Sequence, residues 1–136
     1  MKPIGYWLNR TDEALTATMD ALLADFGLTR LAWQVLNVVE EDPRTTDTGV
    51  RSLLAANADA RALTSAIETV LAGGWALRPE PGRLALTEDG RTRLDDVRVR
   101  VGAFRELAAA GISPEEYRTA VGVLERMTRN LERAKV

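Results

Sequence analysis

The stretch GGWALRPEPGRLALTEDGRTRL, residues 73–94, constrains the fold more than any other part of the chain. Two short apolar runs flank Pro79-Glu80-Pro81-Gly82, and a helix start follows at once. Proline presets a turn dihedral and glycine supplies the left-handed one, so the chain must reverse sharply here. Strands over 75–78 and 83–86 are therefore predicted to pair as a hairpin. Trp75, Leu77, Leu84 and Leu86 are its apolar set, with Arg78 and Arg83 at the turn end.

The remaining segments have helical periodicity. Leu8, Leu15, Met19, Leu22 and Phe26 mark a helix from about Ile4 to Phe26, which Gly27 ends. Leu28 and Thr29 read as a hydrophobic residue and cap for a second helix to about Val39, with Ala32, Trp33, Leu36 and Val39 inward. EEDPRTTD, 40–47, lacks periodicity and reads as a loop. Thr46 or Asp47 caps a short helix over about 48–56, anchored by Val50, Leu53 and Leu54. Asp59 caps another over about 60–72, with Leu63, Ile67, Val70 and Leu71 inward, and Gly73-Gly74 stops it. Thr87 caps a long helix to about Ala110 along a Leu94, Val97, Val101, Phe104 and Leu107 stripe. After Gly111, Ser113-Pro114-Glu115-Glu116 forms a capping box for a last helix bearing Tyr117, Ala120, Val121, Leu124, Met127 and Leu131.

The fold class that follows is mainly α with a small β hairpin. Two short helices joined by a tight turn, then a two-stranded ribbon, are the layout of a winged helix–turn–helix domain. The long terminal helices carry apolar stripes that a domain this small does not cover, which points to packing against a second copy. The alternative from pattern alone is an ordinary α bundle with an added hairpin.

Composition narrows the function. A chain of 136 residues that is 46% hydrophobic suits a single domain with its own core. It has no cysteine and no histidine, which removes thiolate chemistry, the commonest metal ligand and the usual general base near neutral pH. An enzyme is not expected, nor a metal site or a cofactor. No apolar run approaches the ~18 residues of a membrane span, and the N-terminus has no signal-like core, so a cytoplasmic location without membrane contact is expected. The net charge is −2 and unevenly spread: residues 1–42 carry three cations against seven acids, while 43–94 carry seven arginines against six acids. An arginine-bearing face can thus sit on an acidic protein.

FGLTRLAWQVLNVV (26–39), TSAIETVLAGGWALRP (64–79) and LTEDGRTRL (86–94) together resemble the MarR family of winged helix–turn–helix regulators. The tail ISPEEYRTAVGVLERMTRNL (112–131) is similar to that family's last helix. The resemblance implies one MarR-like domain over 1–136, with dimerisation helices at 1–27 and 95–136 and a winged DNA-binding lobe at 28–94. It implies a homodimer on a pseudo-palindromic double-stranded site, mostly acting as a repressor and often released by a small-molecule effector.

Matched residue by residue, the resemblance places Thr64 at a DNA-facing position, while the neighbouring family arginine is Ser65 here. Arg61 reads either as a base or phosphate contact or as a solvated first-turn arginine. Glu68 lies on the same helical side, where a carboxylate repels phosphate unless it accepts from a cytosine amino group. Family wings are longer and carry an Asp-x-Arg element that this turn lacks. Arg78 and Arg83 are therefore expected to contact backbone phosphates rather than enter a minor groove. Trp33 and Trp75 read as core; Tyr6 and Trp7 read as dimer packing. Tyr6, Trp7 and Trp33 are also the candidates for an effector pocket. Ser65, Glu68, the short wing and the acidic balance favour a second reading: a dimer of the same fold serving as a protein- or ligand-interaction module.

Overall fold

Oxygen-bearing side chains start five of the six helices found among the described residues. Thr29 accepts from Ala32 N (3.1 Å), Thr46 from Gly49 N (3.0 Å), Asp59 from Ala62 N (2.8 Å), Thr87 from Gly90 N (2.7 Å) and Ser113 from Glu116 N (3.1 Å). Each satisfies a first-turn amide that has no intrahelical partner. The computed structural model describes residues 1–134. Its elements are α1 (Ile4–Ala24), α2 (Arg30–Glu41), α3 (Asp47–Leu53), α4 (Ala60–Ala72), β1 (Ala76–Leu77), β2 (Ala85–Leu86), α5 (Glu88–Ala108) and α6 (Pro114–Arg133). Gly27, Gly74 and Gly111, at φ of 72°, 77° and 78°, end three helical segments as the sequence pattern requires.

The chain divides within α5 into two compact units, Met1–Gly102 and the segment from Ala103 onward. In the first, α4 packs against α2 and α3, and β2 lies against α2. Leu23, Leu36, Leu63, Ile67, Leu84 and Leu94 are fully buried, so α1, α2, α4, the hairpin and α5 all supply the core. The buried face of α2 is Ala32, Val35, Leu36 and Val39, a clean i, i+3, i+4, i+7 set. Trp33 therefore stands at the edge of that face, half-buried, and Val35 takes the inward place.

The ribbon is shorter than expected, and the reason lies outside it. Ala76 pairs with Leu86 and Leu77 with Ala85. The first half of the second strand pairs elsewhere: Arg83 bridges Thr46, and Leu84 N donates to Thr45 O at 3.0 Å. The 40–47 loop thus supplies the ribbon's third edge, with Thr45 buried and its hydroxyl donating to Asp42 O. At the tip, Arg83 N donates to Glu80 O (3.1 Å), and Gly82 has φ of 77°. Pro81 and Gly82 thus occupy the central positions of a type II turn.

Two apolar positions are not where periodicity puts them. Leu53, expected as an anchor of α3, is 70% exposed, while Val50 is buried and Leu54 nearly so. Leu77 is 46% exposed, because a two-residue strand shows alternate faces and Ala76 takes the inward one. In the second unit, α6 opens with the full capping box: Ser113 N donates to Glu116 Oε1 at 2.9 Å. That bond holds the Glu116 carboxyl below its ordinary value. No residue of α6 is buried.

Candidate nucleic-acid interface

Helix α4 has two unlike faces. Leu63, Ala66, Ile67 and Val70 are buried. Arg61, Thr64, Ser65 and Glu68 are exposed, at i, i+3, i+4 and i+7 of the opposite side. They line a groove of about 460 Å³ together with Ala60 and with Arg51 of α3. Three of the residues singled out by sequence, Arg61, Thr64 and Ser65, are thus brought together. Arg51, in the last turn of the short helix before α4, also lines the groove and is not among the residues that the sequence singles out. Among the described residues, neither Arg61 nor Glu68 belongs to an ion pair. The Asp59 carboxylate is occupied as the α4 cap.

The wing arginines stand apart from that groove and are engaged within the protein. Arg78 forms a two-point pair with Asp47, Nη1 to Oδ1 at 2.6 Å and Nη2 to Oδ2 at 2.9 Å. Asp47 opens α3, so this fork joins the hairpin to the helix before α4. The two partners are 31 residues apart in the chain. Arg83 Nη2 donates to Pro43 O at 2.7 Å, its Nη1 lies 3.6 Å from Glu80 Oε1, and its Nε is buried without a partner. Arg83 is therefore a strut between the wing tip and the 40–47 loop as well as a cation.

The Arg78 hydrogen bonds hold the Asp47 carboxyl below its ordinary value of 3.8, against the opposing effect of its partial burial. A depressed folded-state value means that the pair stabilises fully above pH 3.8 and fades as pH falls below it. Both side chains are partly solvated, so the contribution is modest, about 1 kcal/mol at most. Asp47→Asn should lower the urea midpoint at pH 7, and the gap from wild type should be smaller at a pH below 3.8. An equal gap at both pH values would contradict this role.

Of the remaining candidates, Tyr6 and Trp7 meet edge to face at 5.0 Å. Arg10 Nη1 donates to the Tyr6 hydroxyl at 2.8 Å, and Lys2 and Arg10 sit 5.1 and 5.7 Å from the Tyr6 ring centre. Trp33 does not join this cluster through any aromatic contact among the described residues. Its indole N–H is buried without a partner. Trp75 is core, and Arg93 lies 3.8 Å over its ring while donating to Gly73 O at 3.0 Å. Among the described residues no group of three or more acidic side chains is placed to hold a metal ion. Nor is any described helix long and apolar enough to cross a membrane.

No family model and no curated protein matches the sequence. Solved structures do match the fold. The chain is similar to the reduced form of MarR from E. coli, with 18% identity over 93% of this chain and 94% of that one at a TM-score of 0.71. It is similar to the Mycobacterium tuberculosis MarR family protein Rv2887 in complex with DNA, with 22% identity over 93% and 98% at a TM-score of 0.72. It is also similar to MepR, a transcription regulator of the Staphylococcus aureus multidrug efflux pump MepA, with 14% identity over 96% and 99% at a TM-score of 0.75. The fold is that of MarR-family winged helix–turn–helix proteins, as the sequence motifs led us to expect.

Proposed function

We propose that this chain is a sequence-specific DNA-binding transcriptional regulator, a repressor acting as a homodimer, with α4 as its reading helix. The exposed face of α4 carries the proposal. Arg61, Thr64, Ser65 and Glu68 present donors and acceptors in one row, backed by a fully apolar face that holds the helix rigid. Such a row matches the edge of a major groove, where base pairs differ in their donor and acceptor pattern. Arg51 beside the row and Arg61 within it are cations that no ion pair among the described residues uses, and Arg78 and Arg83 supply paired ones at the wing. In the dimer, the exposed apolar side chains of α1 and α6 face a second copy. Trp7 and Tyr6, with cations beside them, suit an anionic aromatic effector.

This division of labour is testable through salt dependence. Each phosphate contact steepens the fall of log K with log salt by about 0.9. Arg51→Ala with Arg61→Ala should lower the slope by about two. Arg78→Ala with Arg83→Ala should lower it by less, because a cation already paired with Asp47 or Glu80 releases fewer counterions on binding. Fluorescence anisotropy titrations over a range of salt check both. The reading is wrong if the first pair leaves the slope unchanged.

The paired state of both wing arginines favours a second reading, in which the same fold is an interaction module for a protein or ligand. Duplex binding by the wild-type chain separates the two.

A further inference from the structure

We propose that Glu68 is a specificity-determining residue that selects cytosine in the site it faces; this rests on the DNA-reading role of α4. Glu68 is exposed near the middle of the helix, one turn beyond Thr64 and Ser65 on the same face. It lines the groove that also holds Arg51 and Arg61, yet among the described residues no cation neutralises it. It is not a cap, and no hydrogen bond within the described residues uses its carboxylate. A carboxylate left unneutralised on a face turned toward phosphates is a cost unless a base repays it.

Ionised glutamate only accepts hydrogen bonds. In the major groove guanine offers two acceptors, thymine one acceptor and a methyl group, and adenine a donor beside an acceptor. Only cytosine offers its amino donor with no acceptor beside it. The carboxylate is thus repelled by guanine and thymine, half-matched to adenine and matched to cytosine. Selection comes as much from the bases it rejects as from the one it accepts. Arg61, one helical turn from Thr64 and two from Glu68, offsets the loss of phosphate attraction without cancelling the carboxylate's local preference.

The substitution Glu68→Gln keeps shape and adds a donor, which converts the side chain into the two-point partner of adenine. The test is selection of wild type, Glu68→Gln and Glu68→Ala on one library of randomised duplexes, followed by anisotropy titration of the enriched sites. Wild type should prefer cytosine at one position of each half-site by about tenfold or more over guanine or thymine. Glu68→Gln should move that position to adenine. Glu68→Ala should lose the preference there and bind non-cytosine sites more tightly than wild type does. If all three proteins bind with the same salt dependence and the same preference at every position, Glu68 is not a reader, while sequence-dependent DNA binding by the chain stands. If none of the three enriches any duplex, both the inference and the DNA-reading function fall.

Discussion

Gly90→Ala should cost about 3 kcal/mol or more, although alanine ordinarily stabilises a helix relative to glycine by about 1 kcal/mol. Gly90 lies buried in the first turn of α5. A Cβ there would stand 1.9 Å from the Trp75 carbonyl oxygen, 2.7 Å from its carbon and 2.8 Å from its Cα. These are backbone atoms that cannot swing aside. They are also pinned, since Thr87 N donates to Trp75 O at 3.0 Å and Thr87 Oγ1 to Gly74 O at 2.6 Å. Adding one methyl group must therefore separate α5 from the start of the ribbon, which unseats Trp75 from the core. Gly102 in the same helix is the control, because a Cβ there meets nothing within 4 Å. Gly102→Ala should hold or raise the urea midpoint, and Gly90→Ala should lower it sharply. Equal midpoints for wild type and Gly90→Ala would mean that α5 does not press on Trp75 as described.

The second large effect concerns assembly. Tyr117, Val121, Met127 and Leu131 are exposed on α6, and Ile4, Trp7, Leu8 and Leu15 on α1. Apolar side chains of this size, repeated along α6 and separately along α1, each give a surface of the kind that the proposed dimer would cover. Val121→Glu with Leu131→Glu puts two carboxylates into that surface, and burying an unpaired charge costs several kcal/mol. Wild type should sediment at twice the chain mass and the double variant at the chain mass. The helical circular dichroism of the double variant should stay close to wild type, because neither side chain is buried within the chain. A wild-type monomer, or a double variant that remains dimeric, would remove the dimer from the proposed function.

What the sequence disclosed and what it hid follow from the range of the interactions. Thr29, Asp59, Thr87 and Ser113 were legible as caps because a cap bonds an amide three residues away. The hairpin was legible because Pro81 and Gly82 force the turn locally. The third edge of the ribbon was hidden, since Thr46 and Arg83 are brought together only by the packing of the 40–47 loop. So was the Asp47–Arg78 fork, although both residues were visible as charges. Leu53 misled, because one turn of helical periodicity in a seven-residue helix does not distinguish a core face from a rim. Gly90 sat in plain view within LTEDGR, but only the approach of the Trp75 backbone explains why a glycine stands there. On α4, the shared exposed side of Arg61, Thr64, Ser65 and Glu68 is local helical geometry, whereas the partners of Arg78 and Arg83 are set by how the 40–47 loop and α3 pack against the hairpin.

The most direct test of the DNA-reading function is an anisotropy titration of wild-type protein against two labelled duplexes at several salt concentrations between about 50 and 200 mM. One duplex comes from the region upstream of the protein's own reading frame and the other is its scrambled counterpart. Tighter binding to the first, with log K falling linearly as log salt rises, is the expected result. Equal, salt-independent binding to both, or none to either, would contradict it and leave the fold to an interaction module.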